Sequence, residues 1–128
     1  MKKNNSNNIG ISLIIHTKNE EKNIKDCILS AKRIVNEILV IDMSSSDKTA
    51  DIAKRMGALV FVISDSDFVD NCRNFGFSKA RFNWILSLDA DERLTVSLAD
   101  QLLRIITENS YDVVMIPFKN IRFGKWMR

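Results

Sequence analysis

One proline and four glycines in 128 residues leave no place for a collagen-like repeat or a glycine- and proline-rich low-complexity segment. Two cysteines are too few for a disulfide scaffold. Neither Cys27 nor Cys72 has a cysteine or histidine partner at metal-ligand spacing, so both are expected as buried thiols in a reducing compartment. No apolar run approaches the roughly 20 residues a membrane-spanning helix needs. The opening MKKNNSNN has the charge of a signal peptide, but the apolar stretch behind it, residues 11–15, is short and contains a serine. Charge of one sign is also scarce. With 19 basic residues interspersed among 16 acidic ones, the net charge of +3 is too mild to argue for a nucleic-acid partner. The reading is a cytoplasmic protein with a disordered tail over residues 1–10.

What remains is a composition of 45% hydrophobic and 27% charged residues, that of one globular domain with a single core. Such a chain buries roughly 65–70% of its unfolded surface and needs no metal staple to fold. Short β-rich runs alternate with amphipathic stretches. Strands are predicted at 11–16 (ISLIIH), 37–42 (EILVID), 58–63, 84–88 (WILSL) and 113–116, where Pro117 closes the last. A helix capped by Asn19 or Thr17 runs to about Val35, its buried face made by Ile24, Cys27, Ile28, Ala31, Ile34 and Val35. Ser46 or Asp47 caps a second helix, which Gly57 ends in the left-handed region. Phe68, Cys72 and Phe75 mark a third helix, to about Ala80, and residues 95–107 a fourth. Strands separated by helices run parallel, so the expected fold is α/β: an open, mostly parallel sheet with helices on both faces.

In such sheets, ligands sit outside the carboxyl ends of the strands. The residues there are His16-Thr17-Lys18-Asn19-Glu20, Asp42-Met43-Ser44-Ser45-Ser46-Asp47 and Asp89-Ala90-Asp91-Glu92-Arg93. Asp89 and Asp91, one residue apart in a strand-end turn, can share a divalent cation. Mg²⁺ or Mn²⁺ suits one or two such carboxylates together with substrate phosphates. The bland alternative is that both acids merely form a turn, although three acids directly after an apolar strand exceed what a turn requires.

Four segments together resemble the family 2 glycosyltransferases, whose fold is the nucleotide-sugar-binding, Rossmann-like GT-A fold. They are SLIIHTKNEE, EILVIDMSSSDKTADIAKRMGA, RNFGFSKARFNWILSLDADE and GKWMR, in the family's order, and the last two are similar to the subgroup that includes bacterial lipopolysaccharide-core sugar transferases. The resemblance implies metal-dependent, inverting transfer of a sugar from a nucleoside diphosphate to a saccharide or lipid-linked acceptor. It implies that Asp91 contacts the metal, with Asp89 near metal and ribose. Thr17 then lies beside the base, Asp42 against base or ribose, and Arg73 near base or diphosphate. Three positions depart from the family pattern: His16 stands for a common proline, Lys18 for an aromatic residue and Met43 for a second acid, so the base itself is not specified.

Members of this family usually continue considerably further, and no residue here matches their catalytic base. Residues 11–128 therefore read as a nucleotide-sugar-binding domain truncated before its acceptor half, with a catalytically incomplete nucleotide-binding fragment as the alternative. Glu92 is the remaining acid near the ligand edge, and the family does not use it as the base. A phosphorelay receiver, similar in length and topology, would need its acids after the first and third strands rather than the fourth. A sugar-nucleotide pyrophosphorylase would need a glycine-rich loop after the first strand. Among single residues, His16 suits a base-pocket or structural role better than general-base catalysis. The serine run suits a helix cap better than a phosphate cradle. From Phe118 to Arg128, basic residues interleave with Phe118, Phe123, Trp126 and Met127. That pattern fits a strand pair, able to self-associate, better than a segment peripheral to the inner membrane face.

Overall fold

The computed structural model describes residues 9–64, 69–108, 120–122 and 125–127. Four parallel strands, β1 (Ile11–Thr17), β2 (Glu37–Asp42), β3 (Leu59–Val62) and β4 (Trp84–Asp89), form one sheet in the order β3-β2-β1-β4. They alternate with α1 (Ile24–Ala31), α2 (Thr49–Arg55), α3 (Val69–Lys79) and α4 (Val96–Glu108). A separate antiparallel pair, β5 (Asn120–Arg122) and β6 (Lys125–Met127), carries out the strand-pair reading of the C-terminal stretch. The strand expected at 113–116 and residues 1–8 of the tail expected over 1–10 lie outside the described residues, while Gly10 N–H donates to Asn83 Oδ1 at 2.9 Å.

The two central strands are buried along their whole length, as a parallel sheet covered on both faces requires. Alternation along β1 divides the core. Ile11, Leu13 and Ile15 join Val40, Leu86 and Leu88 against Ile24, Cys27 and Ile28 of α1, Ala53 of α2 and Leu102 of α4. Ile14, with Leu39, Ile41 and Ile85, faces the opposite way, toward Phe75 and Phe77 of α3. The period of two in the strands and the three- and four-residue spacing in the helices thus meet in two apolar layers.

Local chemistry moves some boundaries. Helix α1 stops at Ala31, and the chain reaches Ile34 through a turn closed by Ile34 N–H donating to Ala31 C=O at 3.1 Å. Neither expected cap serves it: Thr17 is the last residue of β1, and Asn19, at φ +52, turns its side chain to accept from Ser46 N–H at 2.8 Å. Glu20 takes over, its carbonyl accepting from the amides of Asn23 and Ile24 at 3.0 and 2.9 Å. Of the two cap candidates for α2, Asp47 faces the helix start, accepting from Thr49 N–H at 3.0 Å. Gly57, at φ +89, follows α2 as a left-handed residue, where any side chain would be strained.

The sheet edge away from the strand carboxyl ends is fastened by a buried acid. Glu37 accepts from the Ser12 hydroxyl at 2.6 Å, from Arg81 N–H at 2.6 Å and from Arg81 Nε at 2.8 Å. Burial alone would raise the Glu37 carboxyl, but these donors outweigh it and hold it below the ordinary 4.5. A depressed carboxyl contributes stability that is fully present above its unfolded value and is lost as pH falls through the folded one. Glu37→Gln should therefore lower stability at neutral pH by about 1–3 kcal/mol, through loss of charge-assisted bonds. The gap should narrow below the ordinary 4.5. Urea unfolding at the two pH values checks this, and an equal gap at both would remove the charge from the explanation.

Candidate functional site

The strand order steps outward from β1 to β2 to β3, then the chain returns to the other side of β1 for β4. A sheet of this kind opens a crevice at that reversal, outside the carboxyl ends of the two diverging strands. The register sets His16 of β1 opposite Asp89 of β4, and Thr17 opposite Asp42 of β2. A cleft of about 330 Å³ lies there, lined by His16, Thr17, Lys18, Glu20, Met43, Cys72, Arg73, Asp89, Ala90 and Asp91.

The turn that carries the two acids is held by its backbone. Asp89 N–H donates to Glu92 Oε1 at 2.7 Å, while Glu92 N–H returns a bond to Asp89 C=O at 2.9 Å. The Arg93 guanidinium donates to Ala90 C=O at 3.0 Å, to Glu92 C=O at 2.9 Å and to Asn23 Oδ1 at 3.1 Å. Beneath the turn, the Cys27 thiol lies 3.5 Å from Asp89 C=O, and burial pushes its pKa up to about 12. Such a thiol stays protonated and unreactive, in keeping with a core role. With its backbone fastened, the turn leaves both Asp89 and Asp91 exposed to solvent. Neither carboxylate accepts a hydrogen bond from any described residue. No cluster of three or more potential metal ligands occurs among the described residues. A pair of exposed carboxylates suits an ion that completes its shell with water and phosphate oxygens, as Mg²⁺ or Mn²⁺ does.

Arg73, exposed in α3, reaches the same cleft. Below it the site is nearly dry. Thr17 is 2% exposed and His16 8%, and both Thr17 Oγ1 and His16 Nδ1 are buried without a hydrogen-bond partner among the described residues. Burial is the main influence lowering the His16 pKa; the nearby Arg73 charge adds to it, while the bond to the Cys72 carbonyl and the Asp89 charge oppose it. The ring is therefore neutral at neutral pH, which suits a base-pocket or structural role.

Thr17, Arg73, Asp89 and Asp91 are thus brought together; Asp42 is not among the residues lining the cleft. It is 1% exposed, and its carboxylate accepts from Ser45 N–H at 3.2 Å and from the Ser45 hydroxyl. The serine run is bonded to the neighbouring loops. Ser44 donates to Ile63 C=O at 2.6 Å, and Asn19 N–H donates to Ser45 Oγ at 2.8 Å. Glu20 N–H donates to Thr49 Oγ1 at 2.9 Å and Lys48 N–H to Glu21 Oε2 at 3.1 Å, so the loops after β1 and β2 bind each other. The bracing roles of Glu92, Arg93 and Asn23 were not read from the sequence, although a Glu three residues after Asp89 is the spacing of a reciprocal turn. Cys72 was read as core, and at 2% exposure it is buried while also bordering the cleft.

Comparison with known proteins bears on this arrangement. The family profile described as Glycosyl transferase family 2 matches residues 12–126. An uncharacterized glycosyltransferase of Rickettsia prowazekii is 39% identical over 102 residues, covering 80% of this chain and 35% of the relative. The 4,4'-diaponeurosporenoate glycosyltransferase of Staphylococcus haemolyticus is 30% identical, covering 87% and 34%. The chain thus spans about a third of the length of these curated relatives. Among solved structures, mannosyl-3-phosphoglycerate synthase from Rubrobacter xylanophilus superposes with a TM-score of 0.67 at 23% identity, covering 80% of this chain and 37% of that one. Glucosyl-3-phosphoglycerate synthase from Mycobacterium tuberculosis, in complex with Mn²⁺, uridine diphosphate and glucosyl-3-phosphoglycerate, does so at 0.57 and 22% identity, covering 64% and 33%. At these identities the structures show a shared GT-A fold, whereas the profile spans nearly the whole chain and carries the family with it: this is a member of glycosyl transferase family 2.

Proposed function

We propose that residues 11–128 are the donor-binding part of an inverting glycosyltransferase that takes a nucleoside diphosphate sugar. The observation that carries this reading is the cleft at the β1/β4 reversal, where two exposed carboxylates and one guanidinium stand over buried polar groups that lack partners among the described residues. Breaking the bond between sugar and diphosphate develops negative charge on the diphosphate. Arg73 meets that charge with a fork of N–H donors matched to phosphate oxygens. A divalent ion, Mg²⁺ or Mn²⁺, would be held by Asp91 and Asp89 and would supply further positive charge to the leaving group. Thr17 Oγ1 offers the nucleoside a hydroxyl that has no partner among the described residues.

The Mycobacterium tuberculosis neighbour, solved with Mn²⁺ and uridine diphosphate, supports the choice of ligand class. Asp42 acts in this account by holding the loop after β2 rather than by touching the nucleoside. The proton of the acceptor is assigned to none of these acids. Asp89 and Asp91 serve the metal, and Glu92 holds the turn. The acceptor is a saccharide or a lipid-linked hydroxyl compound. No helix among the described residues is long and apolar enough to cross a membrane. Two buried cysteines without a disulfide support a cytoplasmic site of action.

Ligands that bind only the folded state raise its unfolding temperature. In Mn²⁺, nucleoside diphosphate sugars should raise it clearly, the matching nucleoside monophosphates less, and free sugars not at all. A panel of donors with no member that stabilises the chain would contradict the reading.

A further inference from the structure

We infer that His16 is a positioning residue for Arg73: its imidazole holds the Cys72–Arg73 peptide and so sets where the guanidinium meets a bound diphosphate. The inference rests on the reading of Arg73 as a diphosphate ligand. His16 Nε2 lies 3.4 Å from the Cys72 carbonyl oxygen, and that carbonyl belongs to the peptide unit whose nitrogen is that of Arg73. A carbonyl can only accept, so the neutral ring carries its proton on Nε2. Nδ1 is then the bare nitrogen, and it is buried with no partner among the described residues. Leaving a buried acceptor unsatisfied is unfavourable, and an apolar side chain at position 16 would avoid that penalty. The donor on the other side of the ring explains why an imidazole stands there.

The seat of α3 on the sheet makes the contact. A Cβ at Gly76, one turn beyond Cys72, would come within 2.9 Å of Ile14 Cγ2, 3.3 Å of Ile41 Cγ1 and 3.6 Å of His16 Nε2. The missing side chain lets the helix lie close on β1 and β2, where a side chain from position 16 can reach its first turn. The same residue faces Asp89 across the β1–β4 register. His16, on the strand paired with β4, therefore links the sheet beside the acid turn to the helix that carries Arg73, and so bears on the distance between the two charges. At 3.4 Å the tether is a long hydrogen bond, so its effect on binding is modest and is read through Arg73.

The test is a double-mutant cycle on the 128-residue chain, titrated calorimetrically in Mn²⁺ with uridine and guanosine diphosphates and with the two nucleosides. His16→Ala should weaken diphosphate binding by about two- to tenfold, the worth of one hydrogen bond, and nucleoside binding by clearly less. His16→Gln, whose amide N–H can replace the donor, should restore most of the loss. His16→Met, which fills the space without a donor, should behave as Ala does even where Ala perturbs folding. On an Arg73→Ala background, removing His16 should add nothing, because the interaction acts through Arg73. Additive losses, an equal loss for nucleosides, or a Gln variant no better than Ala would overturn the inference while leaving Arg73 in place. If Arg73→Ala leaves diphosphate binding intact, or neither diphosphate binds the wild-type chain, the reading of the cleft fails first and takes the inference with it.

Discussion

Asp91→Asn is expected to abolish the metal-dependent part of nucleoside diphosphate binding while changing the free energy of unfolding by less than about 1 kcal/mol. The substitution keeps the shape of the side chain and removes the charge that a hard divalent cation requires. Asp91 is exposed, and the turn around it is held by Glu92, Arg93 and Cys27 acting on the backbone of its neighbours, so folding does not depend on its carboxylate. Titration of the variant in Mn²⁺ and in chelator should give the same weak affinity. A variant that unfolds would show the acid to be structural, and a variant that keeps its metal response would move the ion elsewhere.

Leu88→Ala should do the reverse. Leu88 is 6% exposed, sits opposite Ile15 in the β1–β4 register and belongs to the apolar layer shared with α1 and α4. Truncating such a side chain removes its transfer free energy and leaves a cavity, together costing about 2–5 kcal/mol. The protein that remains folded should bind nucleoside diphosphate with close to wild-type affinity, because the lost atoms lie below the turn that bears the ligands. Denaturant unfolding gives the first quantity and titration the second. A loss of affinity without a loss of stability would mean that the strand, not the turn, sets the site.

The two residues illustrate what the sequence made legible. The pattern separated Leu88, in the apolar layer, from Asp89 and Asp91, at the solvent edge, because the apolar run of β4 gives way to acids where the strand ends. The parallel α/β sheet followed from the same signal, and so did Gly57 as the stop of α2. What could not be read was pairing across the chain. Asn19 reads as a cap for α1 because Asn commonly is one, yet its side chain is taken by Ser46, 27 positions away. The family resemblance implies Asp42 as a ligand, whereas what the structure adds is its bond from Ser45 and its place outside the cleft lining. Much of the polar sequence in the loops after β1 and β2 thus serves to join those loops. Glu92, the remaining acid at this edge, was legible as a charge, but its bond to the Asp89 amide depends on the shape of the turn.

His16 shows the same limit from the other side. Its place at a strand end was plain from the sequence, whereas its bond to the Cys72 carbonyl spans 56 positions and is made where Gly76 leaves room for α3 to lie close on the sheet. A single-residue reading therefore finds which side chains reach the edge, and the three-dimensional wiring decides which of them remain available to a ligand.

Calorimetric titration of the wild-type chain with a nucleoside diphosphate, once in Mn²⁺ and once in chelator, tests the central claim most directly. The account predicts clear binding with the metal and much weaker binding without it, because Asp89 and Asp91 repel the diphosphate unless a cation lies between them. Equal affinity under both conditions would contradict it.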